Sequence, residues 1–333
     1  MARIGIIGAG GIANAIHLPA FSEINGCVIA AVCDLNGDRA RAAAEKFNIP
    51  KYYTLAHEIL RNEDLNGVVC LVEPDRMYRV AYECMDAGLH VLMEKPAGLD
   101  SYQARSLARK AKAAGVTAAV AMNRRHVPVV RRAMERMAEL TKVNQVDGVF
   151  IKNSGIDDIW HYASAFACDI VHAVDLLRFM AGAEPERAAT LIQAIDSPVD
   201  NAWSSVIRFT NGVTGTLKSN YKTGGRVHAF EMHGPGASAF INLGFGDQSC
   251  DAKIIHSGGG MYSMSSGGVG EQEIEYLNGI ELAGGDKYYQ YYGYKQEDAE
   301  FIECIDKGIR PLCDIEDAVR TMEAVELLLK SGI

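Results

Sequence analysis

The stretch from Ile4 to Asp34 constrains the fold of this chain more than any other. A short charge-free run, Ile4 to Ile7, has the length and β-branching of a buried strand, and glycines follow it at once. The segment after these glycines is helical in pattern, and a second apolar run, Cys27 to Cys33, ends at Asp34. The sequence therefore predicts a strand–helix–strand unit with a glycine-rich turn after its first strand.

The glycine-rich turn fits the pattern G-x-G-x-x-A over residues 8 to 13. Gly8 permits a tight turn, Gly10 lets the backbone approach a pyrophosphate, and Ala13 lets the helix pack closely on the strand. Gly11 and Ile12 lie in the same turn, where free N–H groups and the positive end of the helix dipole favour phosphates. In this context the motif predicts dinucleotide binding, and an ordinary strand–helix turn is the alternative.

Asp34 closes the second strand and indicates which dinucleotide is bound. A carboxylate at this position can accept hydrogen bonds from a ribose 2′-OH, and it would repel a 2′-phosphate. Leu35 and Asn36 follow it directly, so neither an Arg nor a Ser stands next to it to hold such a phosphate. We therefore expect NAD as the cofactor, with NADP less favoured.

The rest of the chain divides into two parts with different patterns. Strand and helix patterns alternate through residue 121, which predicts an N-terminal Rossmann domain with a doubly wound parallel sheet. Residues 122–333 contain a series of successive strands and predict an α+β domain for substrate binding and oligomerisation, with an open, largely antiparallel mixed sheet. Asn211-Gly212, between two alternating runs, predicts a two-residue hairpin within that sheet. The fold class is therefore α/β, with two domains.

The composition excludes several classes of protein. The net charge is −9 and the chain contains no basic run, so we expect no nucleic-acid partner. No apolar stretch approaches membrane-spanning length, and the first apolar run gives way to glycines rather than forming a signal peptide. Eight cysteines without a C-x-x-C pair are typical of reduced thiols in a cytoplasmic protein, and no spacing of His, Cys or Asp suggests a metal site.

Lys95 is the first candidate catalytic residue. It lies in Glu94-Lys95-Pro96, at the carboxyl end of a predicted parallel strand, where open α/β sheets bind their ligands. Pro96 favours extended backbone at Lys95, so the ammonium would project into the ligand crevice. There it can hydrogen-bond a substrate hydroxyl and stabilise a developing alkoxide. A surface lysine in a turn is the alternative.

His172 and Asp169 form the second candidate pair, on a helix of the second domain. They are three residues apart and therefore neighbours on one helical face. The imidazole has a suitable pKa for a general base near neutrality, and the carboxylate can orient it or share a substrate hydroxyl with it. A structural His–Asp pair on a partly buried helix is the alternative.

These motifs together resemble the glucose-fructose oxidoreductase / inositol dehydrogenase / MocA (Gfo/Idh/MocA) family. The resemblance extends over essentially the whole chain. It rests on the glycine motif and Asp34, on His17-Leu18-Pro19-Ala20, on the run Ala87 to Pro96, on Asn123-Arg124-Arg125, and on His172 to Leu177. It implies an NAD(P)-dependent oxidoreductase that acts on CH–OH groups of sugars, cyclitols or their derivatives, and a homo-oligomer (dimer or tetramer).

The resemblance also implies roles for single residues. The Lys of the E-K-P motif, here Lys95, contacts both cofactor and substrate in the family, and the helix His, here His172, acts in proton transfer with a nearby Asp. Glu94 and Asn123 are expected to join the cofactor site. Trp160 and Tyr162, directly before the catalytic helix, are candidates for the substrate pocket, with a loop anchored in the core as the alternative.

Two positions depart from the family pattern. The family places the catalytic Asp four residues before the His, where this chain has Cys168, and Asp169 follows one residue later. The family also often has a His four residues after the proline that ends the fourth strand, where this chain has Tyr78 after Pro74. We expect Asp169 to replace the usual Asp and a substrate or cofactor contact to be altered at Tyr78.

Three functions fit these residues. The first is reversible hydride transfer between nicotinamide and a carbinol or keto carbon of a sugar, cyclitol or glycoside. The second is an NAD-dependent glycosidase or eliminase that works by transient oxidation at C3. The third is a dinucleotide sensor without turnover. The first is our prediction, and the other two stay as alternatives.

Overall fold

The structure, a computed structural model, describes residues 1–154, 164–257 and 272–333. The chain forms two compact units. The first consists of Met1–His126 and Lys287–Glu323, and the second of Val127–Asp286 and Ala324–Ile333. The change of pattern near residue 121 predicted a single boundary, so the segment Lys287–Glu323 lies in a different unit from the one expected.

Strands and helices alternate through the first 121 residues. In order they are β1 (Ala2–Ile7), α1 (Leu18–Ser22), β2 (Cys27–Cys33), α2 (Gly37–Lys46), β3 (Tyr52–Tyr53), α3 (Ala56–Asn62), β4 (Gly67–Cys70), α4 (Pro74–Asp86), β5 (His90–Glu94), α5 (Ser101–Ala114) and β6 (Ala118–Ala121). The six strands pair in the order β3-β2-β1-β4-β5-β6, and every pair is parallel. The doubly wound parallel sheet predicted from the sequence is confirmed.

Gly8 makes the turn after β1 possible. Its φ is +107°, a backbone conformation that side chains disfavour, and a Cβ there would lie 2.2 Å from the carbonyl oxygen of Leu71. At Gly11, by contrast, an added Cβ would meet no atom of the described residues within 4 Å. The close approach of the two strand ends therefore requires glycine at position 8, and it does not require glycine at position 11.

We expect Gly8→Ala to lower the free energy of unfolding by about 2 kcal/mol or more, because alanine must adopt a strained φ and its Cβ collides with Leu71. Gly11→Ala is the matched control, and its effect should stay within about 0.5 kcal/mol. Urea unfolding followed by circular dichroism measures both. Equal destabilisation by the two variants would contradict this account of the turn.

The second unit is built on one large sheet with helices. Its elements are α6 (Pro128–Leu140), β7 (Gln145–Asn153), α7 (Val171–Ala181), β8 (Pro185–Gln193), β9 (Ala202–Phe209), β10 (Thr214–Asn220), β11 (Lys222–Gly234), β12 (Ala237–Asn242), β13 (Asp251–Ser257), β14 (Gln272–Asn278) and α8 (Gly279–Ala283). The strand order is β14-β13-β12-β11-β7-β10-β9-β8, and among these described strands the pair β7–β10 is parallel and the others are antiparallel. The mixed, largely antiparallel sheet is confirmed.

The connection between β9 and β10 differs from the predicted two-residue hairpin. The amide of Phe209 donates to the carbonyl of Val213 at 2.8 Å, so three residues lie between this pair. Gly212 has φ +88° and its amide donates to the carbonyl of Phe209 at 2.9 Å. The glycine supplies the left-handed conformation at the third position of a longer turn, as is common for three-residue hairpins.

Three helices close the chain: α9 (Tyr288–Tyr291), α10 (Tyr294–Lys307) and α11 (Ile315–Lys330). In α10, Phe301 and Ile302 are buried in the same apolar cluster as Ile4 of β1. Burial of these side chains against the parallel sheet explains why this late segment belongs to the first unit. Among the described residues, none of the helices combines the length and the apolar character needed to span a membrane.

Candidate functional site

The glycine-rich turn and Asp34 border one cavity of about 320 Å³ in the first unit. Gly8, Gly10 and Asp34 all line it, and their predicted role in cofactor binding stays a prediction. The amide of Ala9 donates to Asp34 Oδ2 at 2.8 Å, and the amide of Asn36 donates to Asp34 Oδ1 at 2.8 Å. The carboxylate thus fixes the glycine turn against the end of β2 while both of its oxygens keep further lone pairs for a ribose.

The glycine-rich turn leaves open space beside its backbone, as the binding of a pyrophosphate requires. A Cβ at Gly10 or Gly11 would meet no described atom within 4 Å, and Ala13 is fully buried where the following helix meets the sheet. The side-chain amide of Asn14 donates to the carbonyls of Ala9 and Gly10, at 2.8 and 3.1 Å, and holds the turn in shape. These residues fit a dinucleotide.

Arg39 is a lining residue of the same cavity that the sequence analysis missed. It lies in α2, five positions after Asp34, and therefore beyond the two residues directly after Asp34 on which the prediction rested. A guanidinium at this place can stack on an adenine ring. In the sequence, the signal that could have identified Arg39 is that it is a basic residue in the first turn of the helix after β2.

Glu94, at the end of β5, lies in a buried ionic chain. His17 Nε2 is 3.3 Å from Glu94 Oε1, and His17 Nδ1 is 2.9 Å from Asp298 Oδ1 of α10. The side chains of His17 and Asp298 are fully buried. The backbone amide of Lys95 donates to Glu94 Oε2 at 3.0 Å, so the chain continues to the predicted catalytic lysine.

The charges in this chain follow from its contacts. Burial would lower the pKa of His17, but the carboxylates of Asp298 and Glu94 outweigh burial and raise this pKa well above its ordinary value of 6.5. Burial would raise the pKa of Glu94, but the hydrogen bond from His17 and the charge of Lys95 lower it. His17 is therefore held as a cation and Glu94 as an anion directly before Lys95.

Asn123, a predicted cofactor residue, is fully buried in the short helical turn Asn123–His126 after β6. Its Nδ2 donates to the carbonyl of Tyr292 at 2.8 Å, between α9 and α10. Its Oδ1 has no hydrogen-bond partner within the described part of the chain. The fixed amide orients this oxygen as an acceptor.

Asp169 and His172 lie at the start of the helical segment of the second unit. A π-helical turn, Phe166–Ile170, precedes α7, and it turns Cys168 into the core while the side chain of Asp169 stays 17% exposed. Such turns insert one residue into a helix and are frequent at functional sites. His172 is 6% exposed.

Asp169 contacts two residues that the sequence analysis did not identify. The hydroxyl of Tyr221 donates to Asp169 Oδ2 at 2.6 Å, and Lys152 forms an ion pair with the same oxygen. Lys152 lies near the end of β7 and Tyr221 directly follows β10. These two residues are distant in sequence from Asp169. The only signal for them in the sequence is that each lies at the end of a strand, and the two strands pair in parallel, which brings their ends together.

The remaining predicted residues have different outcomes. Trp160 and Tyr162 lie outside the described residues, so their assignment to the substrate pocket stays a prediction. Tyr78, where the family often has a His, places its hydroxyl 2.9 Å from Ser106 Oγ, between α4 and α5. The roles assigned to Lys95, Asp169 and His172 also stay predictions.

One group of potential metal ligands lies on the large sheet of the second unit. His233 Nε2 is 3.1 Å from Glu231 Oε2 and 3.9 Å from Asp147 Oδ2. Glu231 and Asp147 are register partners on β11 and β7, so strand pairing brings the three together. At these distances His233 shares a hydrogen bond with Glu231 and lies close to Asp147, and no spacing in the sequence could reveal this group.

Glu297 of α10 is a further buried carboxyl group, next in sequence to Asp298 of the ionic chain. It is 3% exposed, and neither of its oxygens has a hydrogen-bond partner among the described residues. Burial, and then the charges of Asp298 and Glu94, raise the pKa of Glu297 well above its ordinary value of 4.5. The folded protein therefore keeps a proton on Glu297 at pH values where the unfolded chain has released it.

This raised pKa predicts a pH dependence that Glu297→Gln should remove. The raised pKa lowers the free energy of unfolding of the wild type. This loss grows as the pH rises from about 4.5 towards the raised pKa, by up to about 1.4 kcal/mol per pH unit. The free energy of unfolding of the variant should therefore rise relative to that of the wild type as the pH increases above about 4.5, until the pH reaches the raised pKa. Urea unfolding at each pH measures the difference.

Glu303→Gln, on the exposed side of the same helix, is the control for that experiment. The difference in the free energy of unfolding between Glu303→Gln and the wild type should stay nearly constant as the pH rises. A constant difference for Glu297→Gln as well would show that the carboxyl group of Glu297 is ionised at neutral pH.

Comparison with known proteins supports an oxidoreductase of the predicted kind. Residues 2–122 match a family model described as an oxidoreductase family with an NAD-binding Rossmann fold. Residues 132–240 match the model of the GFO/IDH/MocA C-terminal domain. Together, the two matches cover most of the chain.

Individual relatives share a low sequence identity with this chain, but the alignments extend over most of it. The chain is 28% identical over 231 residues to trans-1,2-dihydrobenzene-1,2-diol dehydrogenase of Mus musculus, covering 65% of this chain and 67% of the relative. It is 24% identical over 336 residues to D-xylose 1-dehydrogenase (NADP(+)) 2 of Haloferax volcanii, covering 98% and 96%. The structure of UDP-N-acetylglucosamine 3-dehydrogenase from Acidithiobacillus ferrooxidans is similar in fold, with a TM-score of 0.83, 19% identity and coverage of 99% and 97%.

Proposed function

The chain belongs to the Gfo/Idh/MocA family of oxidoreductases, as the resemblance predicted, and on this premise we propose that it oxidises or reduces a sugar, cyclitol or glycoside. The reaction is the reversible transfer of a hydride between a carbinol carbon of the substrate and C4 of nicotinamide. NAD supplies the redox chemistry, and the protein supplies position and electrostatics.

Three residues carry the protein's part in this proposal. In the oxidation direction, His172 accepts the proton of the substrate hydroxyl while the hydride leaves the same carbon. Lys95 donates a hydrogen bond to that oxygen and stabilises the charge that develops on it. Asp169 positions the hydroxyl group. In the reverse direction, His172 returns the proton to the oxygen.

The observation that most supports the proposal is the buried ionic chain behind Lys95. Asp298 and Glu94 hold a charged His17 between them at 2.9 and 3.3 Å, and Glu94 accepts from the backbone of Lys95. Even paired charges add little net stability when they are buried, because the cost of removing them from water offsets their attraction, and this argues for a role beyond stability. Here the chain fixes the backbone from which the lysine projects at the carboxyl end of β5.

We expect Lys95→Ala to lower kcat by about 10²-fold or more, because an oxyanion donor is lost, while NADH still binds. Lys112→Ala, on the exposed side of α5, is the matched control and should leave kcat unchanged. NADH formation measures kcat, and NADH fluorescence measures binding. Activity near the wild-type level in Lys95→Ala would refute the role of Lys95.

One experiment separates this function from its alternatives. The absorbance of NADH is followed with D-glucose, D-xylose, myo-inositol and an aryl glucoside, with NAD and NADP separately. Net NADH is expected for a dehydrogenase. Release of the aryl group without net NADH would indicate the eliminating glycosidase, and NADH binding without any turnover would indicate a sensor.

The protein is further proposed to act as a cytoplasmic homo-oligomer that uses the large sheet of the second unit. Strand pairing places Val206, Phe240 and Tyr276 in one row on the same face, and they are 62%, 38% and 74% exposed. Asp147, Glu231 and Lys253 lie between them in the same row, and such a mixture of apolar and polar side chains is typical of protein–protein interfaces. Eight cysteines, all free, fit a reducing compartment.

If this face is the interface, Tyr276→Glu should shift the mass of the protein in solution towards the monomer, because a charge would be buried without a partner. Tyr102→Glu, at an exposed tyrosine of the first unit, is the control. Light scattering after gel filtration measures the mass. An unchanged oligomer in Tyr276→Glu, or a wild-type monomer, would contradict the proposal.

A further inference from the structure

Three potential metal ligands of the second unit meet on one face of its large sheet. Asp147 lies on β7, whereas Glu231 and His233 lie two residues apart on β11 and therefore share a face. Glu231 is the register partner of Asp147, and His233 is the partner of Gln145, two residues before Asp147. Strand pairing thus places the three side chains together, and one ligand atom of each lies within 4.8 Å of the other two.

The distances in this group suit the binding of a single ion. His233 Nε2 is 3.1 Å from Glu231 Oε2 and 3.9 Å from Asp147 Oδ2. Atoms that bind one zinc ion tetrahedrally lie about 3.4 Å from one another, because each is about 2.1 Å from the metal. The two observed separations lie on either side of this value, so small rotations of the side chains bring the three atoms to one metal ion.

Residues outside the group hold its ligands in place. Ser238 Oγ lies 2.9 Å from His233 Nδ1, and the two residues are register partners on β12 and β11. Gln145 Nε2 donates to Asp147 Oδ2 at 2.6 Å, and the hydroxyl of Thr216 donates to Asp147 Oδ1. Outer contacts of this kind orient the histidines and carboxylates that bind metals. When His233 donates to Ser238 through Nδ1, its Nε2 directs a lone pair towards the two carboxylates.

The charge of the group favours a bound cation. Carboxylates on directly opposite residues of a sheet repel each other, and among the described residues it is His233, and no lysine or arginine, that pairs with these two. A second histidine of the same sheet shows the contrast. His256 Nε2 is 2.9 Å from Glu275 Oε1, but Arg136 donates to both oxygens of Glu275 and supplies the positive charge there.

We propose that Asp147, Glu231 and His233 form a binding site for a divalent transition-metal ion, with Zn²⁺ as its probe, that links β7 to β11. An imidazole nitrogen beside two carboxylates suits Zn²⁺ better than Mg²⁺ or Ca²⁺, which prefer oxygen ligands alone. Three protein ligands leave a fourth position for water. The side chains of Asp147, Glu231 and His233 are 17%, 44% and 24% exposed, so an ion can enter from solvent. The inference depends neither on the proposed activity nor on association through this face.

The test is calorimetric titration of Zn²⁺ into the whole protein after treatment with EDTA. Glu231→Gln should weaken the binding of one Zn²⁺ ion by more than about 100-fold, the upper effect of losing only an outer contact. Glu273→Gln is the matched control, because it removes a carboxylate that lies 3.7 Å from His256 on the same sheet, and it should bind Zn²⁺ as the wild type does. If the wild type binds no Zn²⁺, or if the two variants bind it equally well, the proposal is overturned.

Ser238→Ala provides a second test that leaves all three ligands in place. It should weaken the binding of Zn²⁺ by about 10- to 100-fold, because the imidazole loses the contact that orients it. The thermal midpoint of the metal-free variant should stay close to that of the metal-free wild type. Wild-type affinity for Zn²⁺ in Ser238→Ala overturns the assignment of His233 as a ligand, and this variant decides the question if Glu231→Gln does not fold.

The thermal midpoint also distinguishes the kind of metal. An ion that binds only the folded state raises the midpoint, so Zn²⁺ should raise it in the wild type and in Glu273→Gln, and hardly at all in Glu231→Gln. Mg²⁺ at the same concentration should leave the midpoint of the wild type unchanged. An equal rise with Mg²⁺ and with Zn²⁺ would show that no nitrogen ligand takes part, and it would overturn the proposal.

Discussion

The first unit depends on one buried cation between two carboxylates. His17 comes from the turn that follows the glycine motif, Glu94 from the end of β5, and Asp298 from the closing helix α10. One imidazolium thereby joins the start, the middle and the end of the chain at the carboxyl edge of the parallel sheet. Removal of any member would leave a charge in a dehydrated position, which is strongly destabilising. The position of Lys95, next to Glu94, follows from this arrangement.

The fold was accessible from the sequence because local patterns determine it. The charge-free runs, the glycine turn and the alternation of strands with helices predicted the parallel sheet, and the structure confirms it. The successive strands after residue 180 likewise predicted the second sheet. The contribution of Phe301 and Ile302 to the first core was not predicted, because their partner Ile4 lies almost 300 residues earlier and no periodicity links the two segments.

The candidate site was accessible only in part, for the same reason. Motif residues such as Gly8 and Asp34 carry their chemistry within a short stretch, and the structure places them around one cavity. Asp298 lies 281 positions from His17, and Tyr221 lies 52 positions from Asp169, so these contacts exist only in the folded protein. The π-helical turn at Phe166–Ile170 also makes the site harder to predict from sequence. A shift of one residue along the helix decides whether the side chain of Cys168 or that of Asp169 lies outside the core.

The return of α10 to the first unit has a consequence for synthesis on the ribosome. Residues 127–286 of the second unit emerge without interruption, whereas the first unit must wait for residues 287–323 before the core around Ile4 and the ionic chain at His17 are complete. Contacts that span so many residues form slowly, because the chain entropy is lost before they can stabilise it. The nucleotide-binding half, although translated first, therefore completes its core only after residues 127–286 of the second unit have been made, and its β-edges stay available to chaperones until then.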